Sequence, residues 1–347
     1  MKAALITRQS PHVHEAVTVV TDHPEPAAPG PGLALVRTLC SAMNHLDLWV
    51  GRGVPGLKLT YPRISGCDAC GQVLAVGPGV DPAWVGLRVV VNAAQAQPPR
   101  AHPSGDPEPQ TPAYELLGEH TDGFHRERFL APAEALQPVA PDADPAQAAA
   151  FGLGSLTAYS MLVGKAGLRP GQWVLITGIG GGVALAALSI CNALGARAVV
   201  TSRHQWKLDR AAELGAVAGV LDSGADWSRQ ARQATGGRGF DIAVDSSGKA
   251  THLWCVKSLA RGGAYVTPGC TSGPDATTDL ARVFWHQLRI IGSTMGTPAE
   301  FAQVAALYRR GVIRPVVDRV YRADDIAQAY ARLAGQEQFG KVVVDWR

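Results

Sequence analysis

The pattern of apolar and polar positions changes character near residue 147 of this 347-residue chain. Before that point, short apolar runs are separated by proline and glycine, which is typical of a β-rich domain. Strands are predicted at 2–6, 16–20, 33–38, 72–76 and 87–91. The segment 92–112 that follows is polar, rich in proline and without periodicity. It is predicted to be an unusually long surface loop, either functional or remodelled.

From residue 147 onward, predicted helices alternate with apolar strands. The strands are predicted at 174–176, 198–201, 218–221, 241–245, 263–267 and 288–292, and helices between them include 183–194, 205–214 and 251–260. This alternation predicts an α/β fold with a mostly parallel, doubly wound sheet. After Gly296 come a predicted helix at 299–309, an apolar segment at 313–320, a helix at 323–333 and a final strand at 341–344.

A glycine-rich turn joins the first of these strands to an Ala- and Leu-rich helix. Its residues are Gly178, Gly180, Gly181, Gly182, Val183 and Ala184. In this strand–turn–helix context small residues allow a tight turn, close approach of the backbone to a pyrophosphate, and packing of the helix on the strand. The unpaired N–H groups at the helix start would face the phosphates. The alternative is a glycine-rich turn in an ordinary α/β domain.

The cofactor preference is set about 20 residues beyond the glycines, where NAD-binding proteins carry a carboxylate for the ribose 2′-hydroxyl. Here the residues are Ser202, Arg203 and His204, with Lys207 one turn later, and no carboxylate is among them. A 2′-phosphate would find a hydroxyl and a guanidinium there. The segment therefore predicts NADP(H), unless Arg203 and Lys207 are merely solvated charges at a helix start.

Composition narrows the class of protein. Apolar residues make up 46% and charged residues 18%, which indicates a large core, and the length favours two domains. The net charge of +3 without blocks of like charge gives no sign of a nucleic-acid or anionic membrane partner. No signal peptide and no apolar run near the ~20 residues of a membrane span is evident. The six cysteines lack disulfide-framework spacing, so a reduced, cytoplasmic protein is predicted.

The order of these features resembles the medium-chain dehydrogenase/reductase superfamily, especially its zinc-type alcohol dehydrogenase-like and quinone oxidoreductase-like branches. The segments that carry the resemblance are 44–53, 62–71, 76–80, 118–123, 156–159, the glycine turn, 291–296 and 340–344. The resemblance implies a GroES-like catalytic domain at 1–150, a Rossmann NADP(H)-binding domain at 151–296 and a return to the first domain at 297–347. It also implies a small-molecule substrate and a homodimer or homotetramer.

The resemblance further implies where the cofactor binds. Residues expected near it are Thr157, Tyr159, Ser246, Gly248, Gly269, Met295 and Gly296. The last five lie at or just beyond the C-terminal ends of predicted strands, where an open α/β sheet binds its ligands. Lys341 matches a lysine that often faces the cleft in this family, although an exposed lysine at a strand start is the alternative.

Zinc-containing members of the family hold a catalytic metal with Cys, His and Cys, close to a Glu. The corresponding positions are Asn44, Cys67, the vicinity of Leu153, and Asp68. A catalytic zinc normally has three protein ligands, and here only Cys67, with Asp68 as a poorer second, could serve. The structural zinc of the family needs four cysteines, and segment 92–112 contains none. No zinc is therefore expected.

Cys67 and Cys70 form a CxxC pair that could be redox-active or half of a metal site. No second CxxC follows, so the favoured interpretation is that these are two small residues packed at the start of a strand.

Without a metal, an acceptor that delocalises its own developing charge becomes the more plausible substrate. The predicted function is zinc-independent, NADPH-dependent hydride transfer to a quinone or an α,β-unsaturated carbonyl. The candidate catalytic residues are Asn44, His45, Asp47 and Tyr61.

Asn44 and Asp47 match an Asn-x-x-Asp pattern of zinc-free quinone reductases. Asn44 could bond the nicotinamide ribose or the substrate oxygen. His45 could donate a proton near neutral pH, unless it is packed or faces solvent. Asp47 could equally be a structural hydrogen-bond acceptor in its turn.

Two other functions stay open. One is an alcohol dehydrogenase acting on an alcohol/aldehyde pair, which would require bound zinc. The other is a nucleotide-binding protein without turnover, which would show no activity with any electrophilic acceptor.

Overall fold

The computed structural model describes residues 1–54, 56–96 and 114–347. Most of the predicted loop at 92–112 therefore lies outside the described residues. Its described part contains a short strand, Ala94–Ala96, which corrects the prediction of a structureless loop there. The strand forms because its backbone pairs antiparallel with Tyr114–Leu116.

Seventeen strands are present in the described part of the chain. They are β1 Ala3–Ile6, β2 Val17–Val20, β3 Leu33–Ala42, β4 Asp68–Val76, β5 Arg88–Val91, β6 Ala94–Ala96, β7 Tyr114–Leu116, β8 Arg128–Pro132, β9 Leu136–Pro138, β10 Trp173–Ile176, β11 Arg197–Ser202, β12 Ala218–Leu221, β13 Phe240–Val244, β14 Leu259–Thr267, β15 Arg289–Gly292, β16 Val317–Arg322 and β17 Lys341–Asp345.

Nine α-helices are described alongside them. They are α1 His45–Arg52, α2 Pro145–Tyr159, α3 Gly182–Ala193, α4 Gln205–Glu213, α5 Ser228–Gln233, α6 His252–Ser258, α7 Leu280–Trp285, α8 Pro298–Arg309 and α9 Ile326–Ala334. A π-helical turn at Ser160–Lys165 follows α2 directly. No helix within the described ranges is both long and apolar enough to cross a membrane.

Two compact units make up the structure. Unit 1 comprises Met1–Leu153, Thr297–Ala305 and Val317–Arg347. Unit 2 comprises Gly154–Gly296 and Ala306–Val316. The segment 306–316 therefore belongs with unit 2, whereas the sequence assigned all of 297–347 to the first domain.

Unit 2 is built on a six-stranded parallel sheet with the order β12-β11-β10-β13-β14-β15. The chain starts in the middle, moves outward to one edge and then returns to fill the other side, so the sheet is doubly wound. This confirms the predicted α/β fold class. Because the strands are parallel, their C-terminal ends share one edge of the sheet, and the strand order reverses between β10 and β13.

Unit 1 is β-rich. Its main sheet has the order β16-β17-β3-β4-β5-β9, with β8 also pairing β3, and there are two further two-stranded antiparallel sheets, β1-β2 and β6-β7. The long strand β3 runs antiparallel to both β4 and β17. Buried side chains from the first and last parts of the chain, such as Ile6, Tyr330 and Val344, pack in one core.

Several predicted boundaries shift for reasons that are non-local. β3 extends beyond the predicted end at residue 38 to Ala42, because β17 and β4 hydrogen-bond its last residues. The helix predicted at 251–260 ends at Ser258, and the next two residues join β14. The helix α1 was not predicted.

Candidate active site

The glycine turn in unit 2 has the conformation that its sequence predicts. Gly178 and Gly180 adopt φ values of +64° and +112°, which side-chain-bearing residues rarely tolerate. Gly181 is the N-cap of α3, and no side chain caps that helix end. The first N–H groups of α3 therefore have no intrahelical acceptor and can bind phosphate oxygens.

A further glycine keeps this helix start close to its neighbour. A Cβ on Gly154 would lie 3.3 Å from the carbonyl carbon of Gly182, which is tighter than ordinary packing. Backbone thus approaches backbone without intervening side chains, and the turn fits a dinucleotide pyrophosphate.

The end of β11 carries the residues predicted to select the cofactor. Ser202 is buried, and its hydroxyl accepts a hydrogen bond from the His204 N–H at 3.1 Å. Arg203 is exposed. Lys207 is only 6% exposed, with its ammonium 5.3 Å from the centre of the Trp206 ring, so it is not a merely solvated charge.

A buried carboxylate that sequence reasoning did not single out organises the loops at this edge of the sheet. Asp245 follows β13 and is fully buried. Its oxygens accept hydrogen bonds from the hydroxyls of Thr177, Thr251 and Tyr265 at 2.6–2.9 Å. They also accept the N–H groups of Ser247 and Gly248, at 2.9 and 3.3 Å. Burial, together with this carboxylate, raises the pKa of the Tyr265 phenol.

The remaining cofactor candidates of unit 2 follow strand ends as predicted. Ser246 and Gly269 are half-buried beyond β13 and β14. Thr157 donates to the Met295 sulfur at 3.9 Å, so the structure brings these two together. Met295 has a φ of +51°, an unusual conformation for a side-chain-bearing residue, and Gly296 follows it. Their role in binding stays a prediction.

In unit 1, strand register brings three distant residues together. Ala42, the last residue of β3, pairs with Asp68 at the start of β4 and with Val343 near the start of β17. Because β3 is antiparallel to both neighbours, its end lies beside both of their beginnings. Asn44 follows the end of β3, and Lys341 begins β17, so Asn44, Asp68 and Lys341 converge.

These three side chains form a closed hydrogen-bonded cluster. The Lys341 ammonium donates to Asn44 Oδ1 at 2.6 Å and to Asp68 Oδ2 at 2.8 Å. The Asn44 amide donates to the same Asp68 oxygen at 2.9 Å, and the Leu153 N–H donates to Asp68 Oδ1 at 2.6 Å. Asp68 is fully buried and Lys341 is 4% exposed, which excludes the alternative of an exposed strand-start lysine.

Asp47 is committed to the backbone. One oxygen accepts the Asn44 N–H and the other the Gly66 N–H, each at 2.7 Å. The first of these bonds belongs to a capping box at the start of α1. Burial alone would raise the pKa of Asp47, but hydrogen bonding, with His125 3.6 Å away, lowers it below its ordinary value. These contacts favour the structural role that the sequence left open.

The other two catalytic candidates lie outside the cluster's hydrogen bonds. His45 is half-buried at the start of α1, and burial, aided by Arg52, lowers the pKa of its imidazole. Its ring is therefore mostly neutral at pH 7. Tyr61 donates its hydroxyl to the Val50 carbonyl at 2.6 Å, and burial raises the pKa of this phenol. A role for either in catalysis stays a prediction.

The residues at the metal positions of the family do not fit a catalytic zinc. Asn44 and Cys67 stand at two ligand positions and Leu153 near the third, and neither an amide nor an aliphatic chain is a usual zinc ligand. Burial, together with the nearby Asp47 and Asp68, raises the pKa of the Cys67 thiol well above its usual value. A single thiol falls short of the three protein ligands that a catalytic zinc normally has. Among the described residues no group of three His, Cys, Asp or Glu could hold a metal.

Cys67 and Cys70 are both fully buried at the start of β4. Burial raises the pKa of Cys70 to about 12. Deep burial and raised thiol pKa values are typical of packed cysteines rather than of a redox pair.

Comparison with known families and proteins gives consistent matches over most of the chain. Residues 182–310 match the family described as zinc-binding dehydrogenase, and residues 30–141 match the alcohol dehydrogenase GroES-like domain. The zinc-type alcohol dehydrogenase-like protein YogA of Leptosphaeria maculans is 29% identical over 92% of each chain. Crotonyl-CoA reductase of Streptomyces avermitilis is 30% identical, over 91% of this chain and 79% of its own.

Among solved structures, one described as an NAD-dependent alcohol dehydrogenase has a TM-score of 0.91 and 36% identity, with all of both chains covered. The GroES-like match confirms the class predicted for the β-rich part of the chain.

Proposed function

The chain belongs to the medium-chain dehydrogenase/reductase superfamily and is an NAD(P)-dependent oxidoreductase, and we propose that it transfers hydride from NADPH to an α,β-unsaturated carbonyl or a quinone without zinc. The observation that carries this proposal is the set of side chains at the metal positions. An amide, a buried thiol and a leucine cannot hold the Lewis acid on which reduction of a simple ketone relies.

Among such acceptors, an α,β-unsaturated thioester is the first to test. The crotonyl-CoA reductase relative is named for a substrate of this kind. A conjugated acceptor spreads the negative charge that arrives with the hydride over carbon and oxygen, so hydrogen bonds suffice to stabilise it. NADPH supplies the hydride when bound. The protein's own residues orient the acceptor and exclude water.

NADPH is proposed over NADH because of the residues after β11. Ser202 and the exposed Arg203 offer a hydroxyl and a guanidinium, and no carboxylate lies there to accept a ribose 2′-hydroxyl. The glycine turn and the open start of α3 would hold the pyrophosphate. The structurally similar protein described as NAD-dependent makes this a point to measure directly.

The test is oxidation of each reduced cofactor with a crotonyl thioester, a simple enone and a naphthoquinone, with and without a chelator. We expect turnover with NADPH that survives the chelator, in protein whose metal content is measured in parallel. Alcohol-dependent reduction of NAD(P)⁺ that the chelator abolishes would instead establish the zinc alcohol dehydrogenase. Tight NADPH binding without turnover of any acceptor would favour the non-catalytic nucleotide-binding protein.

A homo-oligomer is proposed through the β15 edge of unit 2. The side chains of Leu280, Phe284 and Trp285 on α7 are each 69% exposed, and Ile290 on β15 is 47% exposed. Within the described sheet, β15 pairs only with β14, so its outer edge can pair with the same strand of a second copy around a two-fold axis. Such pairing would cover this apolar patch.

Phe284→Glu is expected to convert the oligomer to monomer in light scattering. Val85→Glu, at an exposed apolar residue of unit 1, is the control and should not. An unchanged mass for Phe284→Glu would move the interface elsewhere. A cytoplasmic location is also proposed, because the described chain has six free cysteines and five of them are buried, which suits a reducing compartment.

A further inference from the structure

The cluster formed by Asn44, Asp68 and Lys341 (the Asp68 cluster) contains more donor hydrogens than its internal hydrogen bonds use. An ammonium group has three hydrogens and a primary amide has two. Lys341 donates two of its hydrogens, one to Asn44 and one to Asp68, and Asn44 donates one to Asp68. Across residues 1–54, 56–96 and 114–347, no acceptor takes the remaining hydrogen of either group.

Burial makes it costly to leave these donor hydrogens without an acceptor. The Lys341 side chain is 5% exposed, so water satisfies its charge poorly. A buried donor without an acceptor carries a desolvation cost that an incoming oxygen would remove. Both donor nitrogens are bound to the same oxygen, Oδ2 of Asp68, so the carboxylate holds them side by side. One of them is positively charged.

We propose that Lys341 and Asn44 form an oxyanion site, anchored by Asp68, that binds the carbonyl oxygen of the acceptor and stabilises the enolate formed on hydride transfer. This inference rests on the proposed function and names the residues that replace the metal in it. Lys341 and Asn44 are the catalytic residues, since they contact the oxygen. Asp68 is a positioning residue that orients both.

The reaction balances without any further reagent. A hydride from NADPH forms the new C–H bond at the β-carbon, and the π-electron pair of the C=C bond moves through the conjugated system onto the carbonyl oxygen. The two N–H groups hydrogen-bond that oxygen while it is negative. A proton from water then forms the C–H bond at the α-carbon and the carbonyl re-forms, leaving NADP⁺, hydroxide and the saturated product.

The cationic charge suits this role better than a neutral donor. Oxygen gains nearly a full negative charge in the enolate but little in the ground state, so an ammonium stabilises the transition state more than the substrate. Charge-assisted hydrogen bonds are roughly twice as strong as neutral ones. Asp68 prevents the lysine from turning elsewhere, which keeps the donors in place before the charge develops.

The test compares Lys341→Met with Lys2→Met. Lys2 lies in the same unit and also pairs with an aspartate, Asp324, at 2.8 Å, the separation between Lys341 and Asp68. We expect Lys341→Met to lower kcat for crotonyl-CoA roughly 100- to 1000-fold, the usual effect of losing an oxyanion donor. The NADPH Kd, from quenching of protein fluorescence, should stay within about threefold, and Lys2→Met should match the wild type.

A second measurement needs no turnover. With NADP⁺ present, acetoacetyl-CoA bound to the wild type should show the ultraviolet absorbance of its enolate, because the site stabilises a negative oxygen. Lys341→Met should lose this absorbance and Lys2→Met should keep it. Retention by Lys341→Met would overturn the inference. A Kd for NADPH raised tenfold or more with kcat unchanged would also overturn it, since Lys341 would then be a cofactor ligand.

The double variant Lys341→Met with Asp68→Asn controls for folding, because it removes both buried charges together. If it is folded by circular dichroism and as slow as Lys341→Met, the ammonium acts on the reaction. If it recovers wild-type kcat, the lysine only neutralises Asp68 and the inference is wrong. A wild type that reduces no acceptor but shows the enolate signal would refute the proposed function while leaving the oxyanion site established.

Discussion

Two fully buried aspartates lie at strand ends, Asp245 in unit 2 and Asp68 in unit 1, and they are satisfied in different ways. Asp245 is surrounded by hydroxyls and backbone N–H groups, and each of these has a single hydrogen to donate. Asp68 is bound by one N–H, one amide and one ammonium.

The difference teaches how a buried carboxylate can serve a scaffold or a reaction. A neutral donor with a single hydrogen has none left once it binds the carboxylate. Asp245 therefore ties the segments after β10 and β13 to β14, and its donors have no hydrogen left for a ligand. The donors on Asp68 have hydrogens to spare. Asp245, whose donors are all used, should therefore matter for stability, and Asp68, whose donors keep free hydrogens, should matter for turnover.

The largest effect is expected at Asp245. Asp245→Ala removes the carboxylate that accepts the hydroxyls of Thr177, Thr251 and Tyr265, at a combined cost of roughly 3–5 kcal/mol in the free energy of unfolding. Urea unfolding followed by circular dichroism measures this. The counterpart Asp68→Asn still accepts the Leu153 N–H but leaves the Lys341 ammonium without its counter-charge, and it should lower kcat more than Asp245→Ala does. The reverse ranking would break the comparison.

Close packing around Asp68 gives the next effect. A Cβ on Gly152 would collide with Oδ1 of Asp68, so Gly152→Ala must displace the carboxylate that anchors Lys341. We expect a loss of about 1–3 kcal/mol in unfolding free energy, typical of overpacking, together with lower kcat. Gly30→Ala, also in unit 1, meets nothing within 4 Å and is the control. A Gly152→Ala protein with wild-type stability and turnover would show that the carboxylate is not held rigidly.

Selectivity for the cofactor should depend on an exposed charge rather than a buried one. Arg203→Ala is expected to reduce the ratio of NADPH to NADH affinity about tenfold, as befits one charge-assisted contact worth roughly 1.4 kcal/mol. Raising the salt concentration should shrink that ratio in the wild type, since Arg203 is in solvent. Arg210→Ala is the control, because Arg210 is also an exposed arginine but lies on α4. An unchanged ratio in Arg203→Ala would refute the predicted NADPH preference.

The smallest effect concerns pH. Burial lowers the pKa of His45 in the folded protein below the ordinary 6.5, so the unfolded chain binds this proton more readily. The stability that neutral His45 contributes is present above about pH 6.5 and is lost as pH falls through the folded pKa. Between pH 7 and 5, the wild type should lose more unfolding free energy than His45→Gln. His12→Gln, at an exposed histidine, should follow the wild type; equal losses in all three would contradict the lowered pKa.

Local features were predictable where local chemistry decides them. The glycine turn and the parallel strands are encoded in short segments, because φ values above zero need glycine and buried strands need continuous apolar runs. The strand at Ala218–Leu221 was predicted to the residue, and α4 begins where its pattern begins.

The Asp68 cluster could not be predicted in the same way. Lys341 lies 297 positions from Asn44 and 273 from Asp68, and only the pairing of β3 with two strands brings the three together. The sequence therefore showed Asp68 only as a weak metal ligand, and Lys341 as a residue whose surroundings were open. The hydrogen bonds of Asp245 were not predicted, because Thr177 follows β10, Thr251 precedes α6 and Tyr265 lies in β14, and only the folded sheet brings these residues together. A carboxylate directly after an apolar strand was the only signal.

The pairing of β17 with β3 has a consequence for the order in which the molecule can form. Asn44 and Lys341 are 297 positions apart, and the whole segment Gly154–Gly296 of unit 2 is translated between them. At ribosomal speeds of about 5–20 residues per second, Lys341 is synthesised on the order of tens of seconds after Asp68. A nascent chain can thus form most of the parallel sheet of unit 2 before Lys341 is available to pair with Asp68 in unit 1. The cluster of Asn44, Asp68 and Lys341 is therefore completed only after Gly154–Gly296 has been translated.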